Sequence, residues 1–350
     1  VQTIASQGII HGGTKYALTG ALSESAKEIG AMPGRWRDCL VGRGELDLTA
    51  VRVNAEHQFL WSSESLASKL TGFFAGKVMQ SRMLAVDPVE GPTLFHSLEF
   101  KGTLYRLDEP VLDVPSLVET LVEQAETRCY RLGNLEWEPL SSERGIRLMD
   151  GSEVRAKAMV LTAGAGNESL LQRFGRAGPA MQRRRLHMLM VRGQLPPLYA
   201  HCLGISANPR LTITSHIDRD ERVIWNIGGQ PAEGGNDLDF EAQVVAGREE
   251  LATSLPWVDL SATEWFAYRV DRAEPEQPGG KRPDSSYVNL EDGIITAWPT
   301  KLAFAPLLAD QVIASLQAEG ISPSGNGVAA LPLPQAPMAE PPWEKAKRWI

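Results

Sequence analysis

Apolar residues recur along the chain in two rhythms. Helical spacing runs from about Leu22 to Leu40 and again through Leu117, Val118, Leu121 and Val122, after an opening Asp113-Val114-Pro115. There Asp113 can accept from the free N–H groups of the first turn, and Pro115 carries the fixed φ that a first turn uses. The same spacing predicts helices at Ser65 to Phe74, Asn167 to Phe174, Phe240 to Leu255 and Ala305 to Ala318, the last with Pro306 in its first turn. Short β-rich runs at Ala50 to Asn54, Gln58 to Trp61, Leu211 to His216 and Arg222 to Ile227 predict strands, and Asp150-Gly151 predicts a hairpin turn. Ala158 to Thr162 is continuously apolar, as in a strand covered on both faces. It breaks into Ala163-Gly164-Ala165-Gly166, with Asn167 placed to cap the next helix. A strand ending in small residues before a helix is an architecture that holds phosphates.

Trp225, Trp265 and Tyr268 fall in β-rich stretches, where aromatic residues belong either to the core or to a cavity wall. Beyond Gly320 the segment from Ser322 to Pro342 is rich in Pro, Gly and Ala, which predicts an extended surface tail with Trp343 and Trp349 docking back on the body.

A chain of 350 residues, 43% apolar and 22% charged, has enough material for two domains with a large core. Its 35 basic and 43 acidic residues leave a net charge of −8, which gives no electrostatic footprint for nucleic acid, and the Arg183 to Arg185 cluster is too small to supply one. Three cysteines without a CxxC pair suggest neither a disulfide framework nor a zinc site, and no metal-ligand spacing occurs. No apolar run reaches membrane-spanning length and no leader pattern opens the chain, so a cytoplasmic protein is expected.

Three separated motifs then resemble, in order and spacing, one family of FAD-dependent oxidoreductases, that of D-amino-acid oxidase, glycine oxidase and glycerol-3-phosphate dehydrogenase. The first is Ser6-Gln7-Gly8-Ile9-Ile10-His11-Gly12-Gly13-Thr14-Lys15-Tyr16, similar to the loop beside the isoalloxazine ring. The second, Val160 to Gly166, resembles the strand and turn near the FAD phosphates and ribitol. The third, Gly293 to Pro306, resembles the returning strand, the flavin-edge loop and the final helix. The resemblance implies a mixed α/β fold: a Rossmann-like FAD-binding domain with a mixed, mostly parallel sheet, interleaved with an antiparallel-sheet substrate domain. It places the FAD-binding domain at 1–40, 110–182 and 283–320, the substrate domain at 41–109 and 183–282, and a Pro-rich tail at 321–350. All three motifs are expected to converge on one isoalloxazine and its phosphate tail.

As cofactor contacts the resemblance implies Ser6, Gln7, Gly8, Ile10, His11, Gly12 and Gly13, then Ala163, Gly164 and Gly166, then Pro299, Thr300, Lys301 and Leu302. A flavin that takes a hydride at N5 gains negative charge at N1 and the C2 carbonyl, which Lys301 and the helix N-terminus after it are suited to stabilise. His11 is either a proton acceptor, a donor to the ring, or a buried histidine holding the Gly12-Gly13 turn. Lys15 and Tyr16 match a pair that contacts substrate. Arg269 or Arg272 would clamp a carboxylate or phosphate with its two-pronged guanidinium, the other serving Asp271 or Glu274; Arg272 is preferred. The implied reaction is oxidation of a small anionic amine, amino acid or hydroxy acid by hydride transfer to flavin N5.

Two departures stand out. Trp298 and Pro299 occupy positions where relatives often place glycine. The opening strand and G-x-G-x-x-G turn are absent, which implies roughly 35 to 45 further residues upstream, poor FAD binding or none by the chain as it stands, and a second reading as a non-catalytic remnant or binding module.

Overall fold

The computed structural model describes residues 2–13, 24–63, 83–125, 129–133, 136–140, 144–204, 209–322 and 330–350. Lys15, Tyr16 and the expected helix from Ser65 to Phe74 lie outside these residues.

The strands are β1 (Val53–Ala55), β2 (Gln58–Ser62), β3 (Met83–Val86), β4 (Thr103–Leu107), β5 (Val111–Leu112), β6 (Trp137–Pro139), β7 (Gly145–Leu148), β8 (Glu153–Arg155) and β9 (Met159–Leu161). They continue with β10 (Met181–Gly193), β11 (Ala200–Cys202), β12 (Leu211–Ile217), β13 (Val223–Gly229), β14 (Glu264–Pro275), β15 (Tyr287–Glu291) and β16 (Ile294–Trp298). Helices occupy Glu24–Leu40, Val114–Gln124, Asn167–Arg173, Phe240–Ser254 and Ala305–Ala318, where the apolar spacing puts them. Asp113 caps the second of these: its Oδ1 accepts from the Ser116 N–H at 2.9 Å. No described helix is long and apolar enough to cross a membrane.

Two compact units emerge. One comprises Val1–Leu117, Arg185–Val270 and Glu340–Ile350, the other Val118–Arg184 and Asp271–Ala339.

The first unit is built on an eight-stranded sheet in the order β14-β10-β13-β12-β11-β2-β4-β3. β2 and β11 run parallel, while the β10–β13, β12–β13, β11–β12, β2–β4 and β3–β4 pairings are antiparallel. Side chains alternate across a strand, so the register separates two faces. Trp61, Leu104, Ala200, Cys202, Ile213, Trp225, Ile227, Leu189 and Val191 share one face. That face is the main apolar core, closed by Val244, Leu251 and Leu255 of the Phe240–Ser254 helix and its C-cap. Trp225 and Trp265 are fully buried there, each such side chain contributing about 1.5–3 kcal/mol by burial.

The opposite face carries Gln58, Leu60 and Ser62 of β2, His201 of β11, Thr212, Thr214 and His216 of β12, Asn226 and Gly228 of β13, and Met190 of β10. These residues are buried too. At one end the C-terminal segment covers this face, as its tryptophans predict. Trp343 stacks on His216 with ring centroids 4.0 Å apart, and the Arg192 guanidinium sits 4.2 Å from the Trp349 ring. The backbone of Ile350 pairs with Trp265 in both directions.

In the second unit, β16 pairs antiparallel with β15 and parallel with β9, joining Ile294 to Met159 and Thr296 to Leu161. The second and third sequence motifs are therefore neighbours in one sheet. The Ala305–Ala318 helix packs Leu308, Val312 and Leu316 on Ile295 and Ala297, while Leu161 and Ile294 pack against Leu170 and Leu171. β6, β7 and β8 form an antiparallel meander whose β7–β8 turn is the expected Asp150-Gly151 hairpin.

Two sequence expectations need correction here. β9 is not covered on both faces: it is the outer strand of β15-β16-β9, and Val160 is 39% exposed. Asn167 does not cap its helix. Its Oδ1 accepts from the Ala163 N–H at 2.7 Å and its Nδ2 donates to the Ala297 carbonyl at 3.2 Å, so the side chain ties the turn after β9 to β16.

Candidate functional site

Residues Ser6 to Gly13 run over the polar face of the eight-stranded sheet. Gln7 fixes the loop by donating from Nε2 to the carbonyls of Asn226 at 2.9 Å and Thr212 at 3.2 Å. Gly228 makes this approach possible, because a Cβ there would stand 2.9 Å from Gln7 Oε1. The Gly8 carbonyl accepts from Leu112, and Ile10 donates its N–H to the Pro110 carbonyl. Ile10 is fully buried and acts as a core anchor.

Past Ile10 the loop meets Glu109, which lies between β4 and β5 and is 4% exposed. Glu109 Oε1 accepts from the Gly12 N–H at 2.7 Å, and Oε2 lies 3.6 Å from His11 Nδ1. Position 12 is tight, since a Cβ would come within 3.3 Å of that same carboxylate oxygen and 3.1 Å of Pro33. His201 stacks beside His11 at 6.1 Å between centroids, and its Nδ1 pairs with Thr212 Oγ1 at 2.9 Å. Candidate ligand atoms of His11, Glu109 and His201 all lie within 4.8 Å of one another. Burial by itself would raise the Glu109 pKa. The hydrogen bond and charge of His11, the Gly12 N–H and the charge of His201 outweigh that, and the carboxyl is held below its usual range.

The polar face has a further feature. Gln58 Nε2 and Oε1, Ser62 Oγ, Asn226 Nδ2, His216 Nδ1 and, on the loop, Ser6 Oγ are buried without a hydrogen-bond partner. An unsatisfied buried polar atom costs about 1–3 kcal/mol, so a cluster of them marks a surface made to meet a polar ligand or water. Burial also pushes the His216 imidazole down to about 4 and raises the pKa of the Tyr268 hydroxyl, which donates to Asn226 Oδ1 at 3.2 Å.

In the second unit, the turn after β9 brings Ala163, Gly164 and Gly166 beside β16, where Trp298 Nε1 donates to the Gly164 carbonyl at 3.1 Å. Trp298 thus has a structural partner at the position that departs from the family pattern. After it, Thr300 adopts a φ of +60° and the Lys301 N–H donates to the Pro299 carbonyl at 2.6 Å, a tight γ-type turn. Positive φ in a β-branched residue costs of order 1–3 kcal/mol and is held by its surroundings, here by the Thr300 hydroxyl bonding the Ser285 carbonyl. Lys301 Nζ lies 4.9 Å from the Phe304 ring centroid, ahead of Leu302 and the Ala305–Ala318 helix.

The two candidate arginines part company. Arg269 spends its guanidinium on the carbonyls of Asn236 and Leu238, both at 2.6 Å, and bonds neither Asp271 nor Glu274. Glu274 is instead met by Arg184 and by Gln182. Arg272 stands half-buried on β14. Trp225 and Trp265 are core residues of the apolar face, not cavity walls.

Of the three clustered side chains, sequence reasoning named His11 and not Glu109 or His201. The available signals were a carboxylate set between Asp108 and Pro110 at a strand end, and a histidine inside the apolar run Leu198 to Leu203, in a chain with 6 histidines.

No family model matches the chain. A protein named as a probable FAD-dependent oxidoreductase of Pseudomonas aeruginosa is 48% identical to it over 350 residues, covering 99% of this chain and 88% of that protein. A crystal structure of an FAD-dependent oxidoreductase from Pseudomonas aeruginosa superimposes with a TM-score of 0.83 at 43% identity, covering 98% of this chain and 87% of the other. Glycine oxidase from Geobacillus kaustophilus gives a TM-score of 0.58 at 14% identity, over 93% of this chain and 86% of its own. FAD-bound L-alpha-glycerophosphate oxidase from Mycoplasma pneumoniae also gives 0.58, at 11% identity over 90% and 85%. The mixed α/β architecture is that of these enzymes, and at 48% identity over nearly its whole length the chain belongs to the FAD-dependent oxidoreductases.

Proposed function

We propose that the protein binds FAD and oxidises a small anionic amine, amino acid or hydroxy acid at the carbon that bears the nitrogen or oxygen. The observation that carries this reading is the loop from Ser6 to Gly13, which sets a half-exposed histidine over a buried sheet face rich in polar atoms without partners.

FAD fits these residues. The partnerless Ser6 Oγ and Asn226 Nδ2 suit a polar ring system. Ser6, Gln7, Gly8, Ile10, His11, Gly12 and Gly13 would hold the isoalloxazine. Ala163, Gly164 and Gly166 would hold the phosphates and ribitol, and Pro299, Thr300, Lys301 and Leu302 the flavin edge. Bound there, FAD would supply the hydride acceptor. Of the chain's own residues, Lys301 stabilises the charge that builds at the flavin edge, Arg272 binds the substrate's carboxylate or phosphate, Lys15 and Tyr16 contact substrate, and His11 takes the proton lost from the amine or hydroxyl. FAD binding by 1–40, 110–182 and 283–320, and substrate binding by 41–109 and 183–282, belong to the same proposal.

The test is anaerobic mixing of the full-length flavin-loaded protein with a panel of amino acids, secondary amines and hydroxy acids. One class is expected to bleach the flavin, and Lys301→Met to slow that bleaching by ~10-fold or more. A full-length protein that retains no flavin, or a flavin that no member of the panel reduces, overturns the reading.

A further inference from the structure

Glu109 is a buried carboxylate with two outlets. Oε1 is taken by the Gly12 N–H at 2.7 Å, which leaves Oε2 facing His11 Nδ1 at 3.6 Å. The titratable groups of the cluster are His11 on the loop, His201 on β11 and Glu109 itself, with the Thr212 hydroxyl behind His201 at 2.9 Å. With both imidazoles neutral the cluster holds one buried negative charge. One member of the cluster faces solvent. That member is His11, whose side chain is 39% exposed against 5% for Glu109.

We infer that Glu109, with His201 behind it, is the positioning residue of His11: it holds the proton on Nδ1, which keeps Nε2 as the free lone pair that accepts the substrate's proton. The tautomer of a histidine follows from the partner of its other nitrogen, and a carboxylate fixes it most firmly. The chemical role rests on the proposed oxidation; the tautomer does not. In that oxidation the substrate carbon gives a hydride to the flavin, its amine or hydroxyl gives a proton to His11 Nε2, and a C=N or C=O bond forms. The Coulomb attraction of Glu109 then stabilises the imidazolium. Glutamine at 109 offers a single acceptor oxygen, so it cannot serve both the Gly12 N–H and His11, and its amide would present a donor to one of them.

The experiment uses full-length, flavin-loaded protein with 15N-labelled histidine, whose ring tautomers are read from long-range proton–nitrogen correlations. Wild type is expected to hold His11 as the Nδ1–H form, Glu109→Gln to lose that form, and Glu109→Asp to keep it. With any amine or hydroxy acid from the panel that reduces the flavin, Glu109→Gln is expected to slow reduction about 100-fold while the substrate dissociation constant stays within about threefold, and Glu109→Asp to recover most of the rate. Should Glu109→Gln fail to fold, the wild-type tautomer and the Glu109→Asp rate decide. The inference is overturned by an Nε2–H His11 in wild type, by an unchanged tautomer and rate in Glu109→Gln, or by a stoichiometric transition metal in the purified protein, because an ion would occupy these same lone pairs. A flavin that no panel member reduces would end the proposed function while the tautomer result stood by itself.

Discussion

The two faces of the eight-stranded sheet come from the same strands, yet they are built for different ends. On one, Trp61, Ile213, Trp225 and Ile227 pack against the Phe240–Ser254 helix as a dry core, and the Ser215 hydroxyl on that face both accepts from the Leu198 N–H and donates to the Leu198 carbonyl. On the other, Gln58, Ser62, His216 and Asn226 are equally buried and keep polar atoms without partners. Burial is thus shared and satisfaction is not. A fold keeps the second kind of face when that surface must receive something polar, and the loop with His11 lies over it.

This contrast predicts different responses to mutation. The largest effect belongs to the dry face: Trp225→Ala, which also strands the Pro196 carbonyl, is expected to cost about 3–5 kcal/mol in denaturant unfolding. Equal stability in that variant would mean that the apolar face is not the core.

Next comes acid. His216 is neutral in the fold, with its pKa depressed to about 4, whereas the unfolded chain protonates near its ordinary 6.5. Between those values the unfolded state binds more protons, so stability falls as pH drops from about 6.5 to 4, by roughly 3 kcal/mol in all. His216→Gln is expected to remove that part of the acid sensitivity, as read from thermal unfolding across the range; an unchanged slope would show that His216 does not titrate in this way.

The smallest effect is the most discriminating, because one substitution should change sign between the faces. Ser215→Ala leaves a buried N–H unpaired and is expected to destabilise by about 1–3 kcal/mol, while Ser62→Ala removes an unpaired hydroxyl and is expected to stabilise the flavin-free protein by up to about 1 kcal/mol. The same sign in both variants would erase the distinction between the faces.

Much of the scaffold was legible in the sequence. Local spacing governs helices such as Val114–Gln124 and Ala305–Ala318, and the caps and turns at Asp113 and Asp150-Gly151 act within a few residues. The docking of Trp343 and Trp349 was also legible, since large aromatic residues after a Pro-rich stretch need somewhere to be buried. The faces were not. Thr212, Thr214, His216 and Asn226 alternate with apolar residues exactly as solvent-facing positions do, and what buries them comes from residues more than a hundred positions away. His11 was legible through its motif, whereas Glu109 and His201 become functional candidates once β4, β11 and the loop are brought together. Asn167 shows the same limit: it carries a capping side chain, but a bond back to Ala163 and a long-range one to Ala297 claim it.

The most direct test compares amide hydrogen exchange of the full-length protein with and without bound FAD. Slower exchange on binding is expected at Ser6 to Gly13 and at Ala163 to Gly166, with the Phe240–Ser254 helix behind the dry face unchanged. Protection confined to that helix, or none at Ser6 to Gly13 while FAD is bound, would contradict the assignment of chemistry to the polar face.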